Sequence, residues 1–284
     1  MWILFFVLGL IVGSFLNVCI YRIPKKNALT LPRSFCPDCK NPIKWYDNIP
    51  LVSYLFLRGH CRSCKKMIPV QYPLIELLTG YVFAHLCYVF LSCRQESPCV
   101  LFAYILLCSA LIVASVIDLK LLIIPNEITF VGIPFAVIYS VICPHLHNAR
   151  GTLRTFSVFG TDRFDALAAS LLGALAGGGL IFLCSIFGKW VFKKDAMGLG
   201  DVKLMGMIGG ILGWKLALSI FFVAPFFGLF MAIPQLLFKK GHVIPYGPFL
   251  SLAAFVCIIL QDRFIEIANV YLQLFAVLFK GFPI

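Results

Sequence analysis

Apolar runs of about 20 residues recur along almost the whole chain, and no other feature constrains the fold as strongly. A helix needs about that length to cross the hydrocarbon core of a bilayer. The first run is Trp2 to Tyr21, and further runs are predicted at about 73–92, 100–117, 128–143, 166–188, 202–214, 216–237 and 248–261. Of the 284 residues, 61% are hydrophobic and only 13% charged, where a soluble domain carries about a quarter charged. The expected fold is an all-α polytopic membrane protein with about eight transmembrane helices. No stretch is left for a large soluble domain. The sixth run is short and Gly-rich, and it meets the seventh near Trp214-Lys215.

A cleaved signal peptide competes for the first run. It would need basic residues before the run and a small-residue cleavage site after it. Neither is present, and Tyr21-Arg22-Ile23-Pro24-Lys25-Lys26 reads as the cytoplasmic flank of a retained anchor. One long polar segment follows, about residues 22–72, with ten Lys or Arg (Arg22, Lys25, Lys26, Arg33, Lys40, Lys44, Arg58, Arg62, Lys65, Lys66) against Asp38 and Asp47. Positive residues beside membrane segments stay cytoplasmic, which puts the N-terminus outside and this loop inside. Lys120, Lys189, Lys193, Lys194, Lys203, Lys239 and Lys240 then also face the cytoplasm. Only seven of the 24 Lys and Arg fall outside: Arg94, Arg150, Arg154, Arg163, Lys215, Arg263 and Lys280. A net charge of +12 so distributed calls for anionic lipid headgroups as the partner, not nucleic acid. The expected organisation is a first transmembrane helix (1–21), a cytoplasmic four-cysteine loop domain (22–72), and a second transmembrane helix with an outer turn (73–99). A membrane core (100–261) and an amphipathic C-terminal segment at the outer interface (262–284) follow.

Four of the twelve cysteines form Cys36-Pro37-Asp38-Cys39 and Cys61-Arg62-Ser63-Cys64, with 21 residues between the pairs. Each CxxC turn offers two thiolates to one ion, and two turns complete the closed tetrahedral site that structural Zn²⁺ prefers. Two disulfides or a redox motif are the alternatives, but thiols stay reduced on the side to which the loop is assigned. A loop of this length with few aliphatic residues builds little core, so a metal would hold it together. Cys19, Cys87, Cys108, Cys184 and Cys257 fall within apolar runs and read as small packing residues. Cys143 falls near the outer face, as do Cys93 and Cys99, which flank a short turn where a disulfide between them competes with free thiols.

Of the twelve acids, two do not fit a polar-loop pattern. Asp118 ends the run Leu111-Ile112-Val113-Ala114-Ser115-Val116-Ile117. Asp201 follows Met197-Gly198-Leu199-Gly200 and opens another apolar run. Both fall at cytoplasmic helix ends in the expected topology, where a carboxylate usually faces a cavity or a partner. Two carboxyl groups brought close cannot readily both ionise, so one keeps a proton and the pair titrates as a unit. That is the aspartic protease arrangement: one member takes a proton from water while the other polarises the scissile carbonyl. Gly198 and Gly200 would permit unusual φ and a close substrate strand beside Asp201. Pro125-Asn126 would break the chain, with a helix restarting at Ile128. Against this reading, Asp201 alone could be a helix cap, and Asp118 could pair with Lys120 or Lys203.

Gly198-Leu199-Gly200-Asp201-Val202-Lys203-Leu204 resembles the GxGD signature of intramembrane aspartyl proteases, in the form used by type IV prepilin peptidases. Gly13-Ser14-Phe15-Leu16-Asn17-Val18 with Tyr21-Arg22 and Pro24 resembles the N-terminal motif of that family. Cys36 to Gly80 resembles its zinc-loop region, including Trp45-Tyr46-Asp47-Asn48-Ile49-Pro50 and Tyr72-Pro73-Leu74-Ile75-Glu76. Ile244-Pro245-Tyr246-Gly247-Pro248 resembles its late cytoplasmic turn. The likeness covers most of residues 8–255.

The resemblance implies a bifunctional enzyme of the bacterial inner membrane. Such enzymes cut the leader from type IV prepilins or type II secretion pseudopilins on the cytoplasmic side. They then N-methylate the new N-terminal residue with S-adenosylmethionine. Asp118 and Asp201 match the two catalytic positions, and Gly198, Gly200 and Lys203 shape the site. One departure is visible: Pro125-Asn126 stands where the family often has Pro-Asp. No motif here explains how the methyl donor binds, and the zinc-loop region is its expected seat. Glu76 either contacts a substrate N-terminus or basic leader, or is an acid favoured by a helix N-terminus. The run Gly173-Ala174-Leu175-Ala176-Gly177-Gly178-Gly179, like Gly206, Gly209 and Gly210, reads as close helix packing, not a phosphate loop. A cation- or proton-coupled transporter using Asp118 and Asp201 is the competing class. Its mark would be matched inverted halves, and no such repeat is seen. An assembly scaffold that docks a partner through the four-cysteine loop leaves the two aspartates unexplained.

Overall fold

The computed structural model describes residues 1–26, 28, 34–148, 162–193, 197–237 and 245–280, with 192, 231–237 and 272–280 by backbone alone. Arg33, Arg150, Arg154, Lys194, Lys239, Lys240, Ile244 and the end of the tail, 281–284, lie outside the described residues. The described chain is helical, and its only β pairing is two isolated bridges, Phe35 with Pro42 and His60 with Met67. It divides into two compact units, Met1–Lys120 and Leu121–Ile284.

In the first unit, α1 (Trp2–Arg22) packs along α3 (Gln71–Cys87), which continues as a π-helical turn, Tyr88–Cys93. Gly9 and Gly13 lie one helical turn apart on α1 and let the two backbones touch. A Cβ on Gly9 would stand 2.7 Å from the Gly80 Cα, and one on Gly13 2.7 Å from the Glu76 Cα. In a bilayer, where apolar burial gives helices no net drive to associate, such small-residue faces supply the packing. The intervening loop holds a short helix, α2 (Val52–Phe56), after a 3₁₀ turn, Trp45–Asn48. The helix α4 (Pro98–Leu121) follows, and its Tyr104 packs edge-on against Phe90, with ring centroids 4.8 Å apart.

The second unit contains α5 (Asn126–Ile142), α6 (His145–Asn148), α7 (Asp162–Phe192), α8 (Leu199–Leu212), α9 (Trp214–Leu237), α10 (Gly247–Ile259) and α11 (Gln261–Lys280). Its centre is α8, packed between α5 and α7. The glycine run on α7 does serve close packing. A Cβ on Gly173 would collide with the Gly209 carbonyl of α8, and one on Gly177 would stand 2.6 Å from the Met205 carbonyl oxygen. Ser170 donates a hydrogen bond to the Gly210 carbonyl (2.8 Å) across the same face. The helix α5 starts at Asn126 rather than Ile128, with Pro125 as its N-cap.

Among the described residues four helices are long and apolar enough to cross a membrane: Trp2–Lys25, Gln71–Cys93, Pro98–Leu121 and Asp162–Val191. A fifth crossing exists if Gly247–Ile259 and Gln261–Tyr271, which meet at a 91° bend, form one broken span. Asn126–Ile142 is apolar but shorter, at 17 residues, and α9, with 24 residues, is apolar over Trp214–Phe230. The predicted run at 202–214 becomes α8, whose 14 residues reach only about 21 Å at 1.5 Å per residue, short of the ~30 Å core. Gly213, at φ 80°, separates α8 from α9. Cys93 is a free, exposed thiol, so the Cys93–Cys99 bridge considered above is not formed.

Candidate active site and metal centre

The four-cysteine loop is two copies of one turn. In the first, the Cys36 N–H donates to the Asn41 carbonyl (3.0 Å) and the Lys40 N–H to the Cys36 carbonyl (2.8 Å). In the second, the Cys61 N–H donates to the Lys66 carbonyl (2.8 Å) and the Lys65 N–H to the Cys61 carbonyl (3.0 Å). Lys40 and Lys65, each directly after its CxxC, are both left-handed, with φ 59°. The four Sγ atoms lie within 4.8 Å of one another and can hold a metal ion. Four sulfurs about 2.3 Å from a common ion would stand about 3.8 Å apart, and Cys36 Sγ and Cys64 Sγ are 3.9 Å apart. Backbone hydrogen bonds at Cys64 and Ser63 hold the Cys61 thiol down to about 7, whereas burial and the facing sulfurs push Cys64 up to about 11, so Cys61 is the first of the two to ionise.

Ion pairs tie the turns to the rest of the loop. Lys66 bonds Asp38 (2.7 Å), joining the two turns. Arg62 grips Asp47 with two bonds of 2.8 and 2.6 Å. That guanidinium holds the Asp47 carboxyl below the ordinary carboxylate range.

Between this loop and the ends of α1 and α3 lies a cavity of about 240 Å³, lined by Ser14, Asn17, Asp47, Tyr72 and Glu76 among others. Glu76 is 8% exposed. It lies beyond the first turn of α3, which contains no acid, so helix N-terminal preference does not account for it. Its Oε2 accepts the Leu51 N–H (2.8 Å) just before α2. Leu51 itself sits at φ 58°, a conformation disfavoured for a bulky side chain and held in place by this bond.

Asp118 lies in the last turn of α4 and is 5% exposed. Asp201 lies in the first turn of α8, where its Oδ2 accepts the Gly198 N–H (3.3 Å). Neither neighbouring glycine takes an unusual φ. Gly198 is an extended N-cap at φ −76°, and Gly200 is helical. Gly200 is instead needed for space, because a Cβ there would stand 3.0 Å from the Ile124 Cβ. Lys203 donates to Asn126 Oδ1 (2.9 Å) and lies over the Phe130 ring. Asn126, the departure from Pro-Asp, thus supplies a neutral acceptor for this lysine. Tyr246 is the N-cap of α10. Burial, then the charge of Asp201 and Cys184, push its hydroxyl up to about 12. That hydroxyl is buried with no hydrogen-bond partner among the described residues.

Two family models match the chain. The bacterial peptidase A24 N-terminal domain covers residues 7–90, which include Glu76 and all four clustered cysteines. The type IV leader peptidase family covers residues 105–233, which include Asp118 and Asp201. Relatives named prepilin leader peptidase/N-methyltransferase match most of the chain. That of Aeromonas hydrophila is 32% identical over 92% of this chain and 92% of its own. That of Neisseria gonorrhoeae is 32% identical over 94% and 93%, and that of Pseudomonas aeruginosa 32% identical over 97% and 93%. No solved structure matches. With both models in order and relatives aligned nearly end to end, the chain belongs to the type IV leader peptidase family.

Proposed function

We propose that this protein is a prepilin leader peptidase of the bacterial inner membrane. It would cleave type IV prepilins or type II secretion pseudopilins at the cytoplasmic face, with Asp118 and Asp201 as an aspartic pair. The observation that carries the reading is the near end-to-end match to relatives of that name, with both acids inside the segment matched by the leader peptidase model. The basic loop at residues 34–70 supports a cytoplasmic orientation. One carboxylate takes a proton from the attacking water, and the protonated partner polarises the carbonyl and receives the developing charge. The cysteine quartet binds structural Zn²⁺, for which closed four-thiolate tetrahedra are typical.

Methyl transfer from S-adenosylmethionine to the new N-terminus is the second activity. We assign it to the first unit, because the leader peptidase model begins at residue 105 and the cavity between loop and helices lies wholly before it.

The deciding experiment is cleavage of a prepilin in membranes by Asp118→Asn and Asp201→Asn variants. Each should lose roughly 100-fold or more of its rate. Wild-type cleavage by either variant would refute the pair.

A further inference from the structure

The membrane end of the first-unit cavity holds neither the proposed aspartate pair nor the cysteine quartet. Asn17 stands there, 3% exposed. Its amide nitrogen donates to the Gly13 carbonyl (3.2 Å) and to the Tyr72 carbonyl (3.1 Å). Those two bonds fix the amide orientation, since the flipped amide would set an oxygen against two carbonyl oxygens. Its Oδ1 is therefore an acceptor. It is buried and has no hydrogen-bond partner among the described residues, and Asn17 lines the cavity.

Glu76 lines the same wall. It faces α1 at Gly13, one helical turn from Asn17, where the two backbones touch. Its carboxylate takes the Leu51 N–H and lies within reach of the Ser14 hydroxyl. A carboxylate offers about four lone-pair sites, so acceptor capacity is left over. Among the described residues no Lys or Arg pairs with it.

The cavity end thus presents spare acceptors, one of them on a carboxylate. The cationic side chains of the lining, Arg22, Lys44, Arg62 and Lys66, belong to the end of α1 and to the loop. A phosphate or a second carboxylate set against Glu76 and the Asn17 oxygen would be repelled, and a carbonyl has no hydrogen to give. A divalent cation would want about six oxygens. The group that fits several acceptors and one negative charge is a primary ammonium, which carries three donors and no acceptor. The volume, about 240 Å³, is below the roughly 300–1,000 Å³ that encloses drug-sized ligands. It suits an end of a molecule about the size of one amino acid.

We propose that Asn17 Oδ1 and Glu76 form a subsite for the α-ammonium group of an amino-acid-like ligand. The assignment rests on the reading that the first unit carries methyl transfer. Two ligands of that activity bear the group: the amino-acid end of the methyl donor and the N-terminal residue freed by leader removal.

The test uses the full chain in detergent and measures binding by calorimetry. The probes form two pairs: S-adenosylhomocysteine against 5′-methylthioadenosine, which lacks the amino-acid end, and a processed pilin N-terminal peptide with a free against an acetylated amine. Wild-type protein should prefer the ammonium-bearing member of one pair by roughly tenfold or more, the worth of a charge-assisted hydrogen bond. The pair that shows the preference names the source. Glu76→Gln, which still accepts the Leu51 N–H, and Asn17→Leu should both lose the preference, whereas Asn17→Asp should keep it. Metal content at the wild-type level verifies that each variant is folded. The subsite is refuted if wild-type protein binds these probes without preference in either pair, or if Glu76→Gln and Asn17→Leu retain the wild-type preference. If wild-type protein binds none of the four and transfers no methyl group, the methyl-transfer reading fails and the subsite with it.

Discussion

Gly200 shows how one missing methyl can hold an acid in place. A Cβ there would stand 3.0 Å from the Ile124 Cβ, so that Ile124 or the helix start would have to give by a few tenths of an ångström, and Asp201 is the next residue. Gly200→Ala should push the start of α8 off Ile124, at a cost of about 1–3 kcal/mol for an overpacked contact. Under the proposed aspartic mechanism, leader cleavage should fall by roughly tenfold or more, because misplacing a reacting group by about 1 Å is costly. A cleavage assay beside a thermal melt separates the two effects. At this scale the convergence of the four cysteines was legible in the sequence, because CxxC spacing is local and each turn closes on its own backbone. Leu51 was not legible. Its strained φ is held by Glu76, 25 residues further on, and no local pattern reports such a bond. The reading of Gly198 and Gly200 as residues of unusual φ missed the neighbour, since Ile124 lies far away in sequence.

Helices in this chain meet through glycine, which makes their contacts unforgiving. Gly173→Leu should separate α7 from α8 and lower stability by about 1–3 kcal/mol or more. Gly179→Leu is the internal control, because nothing lies within 4 Å of a Cβ there. Thermal unfolding in detergent should distinguish the two, and equal melting temperatures would contradict the packing described. The short helix α6 makes a second prediction. His147 is fully buried, and neither ring nitrogen has a partner among the described residues. Burial pushes its imidazole down to about 4, against an ordinary value of about 6.5. Between those values the unfolded chain binds a proton that the folded chain refuses, so stability falls as pH drops from about 6.5 towards 4. His147→Phe should flatten that part of the melting profile. Hydropathy located these helices but not their reach. The 14 residues of α8 fall short of a bilayer core by themselves, and composition carries no information about where a backbone turns.

At the scale of the molecule, each family model falls largely within one of the two compact units, apart from the stretch of α4 between residues 105 and 120. The first unit joins parts of opposite character, a helix pair shaped for lipid and a polar loop with little core. Both ends of that loop are anchored in α1 and α3, whose backbones touch at Gly9 and Gly13. Holding the ends of a flexible segment together raises the effective concentration of whatever the segment carries. The two cysteine pairs therefore meet at a local concentration set inside the bilayer, and the affinity of the quartet for its ion becomes partly a property of helix packing. Gly13→Leu alters no ligand and no loop residue, yet it should speed the loss of zinc to a chelator. A wild-type release rate would show that the loop holds its ion without help from the membrane.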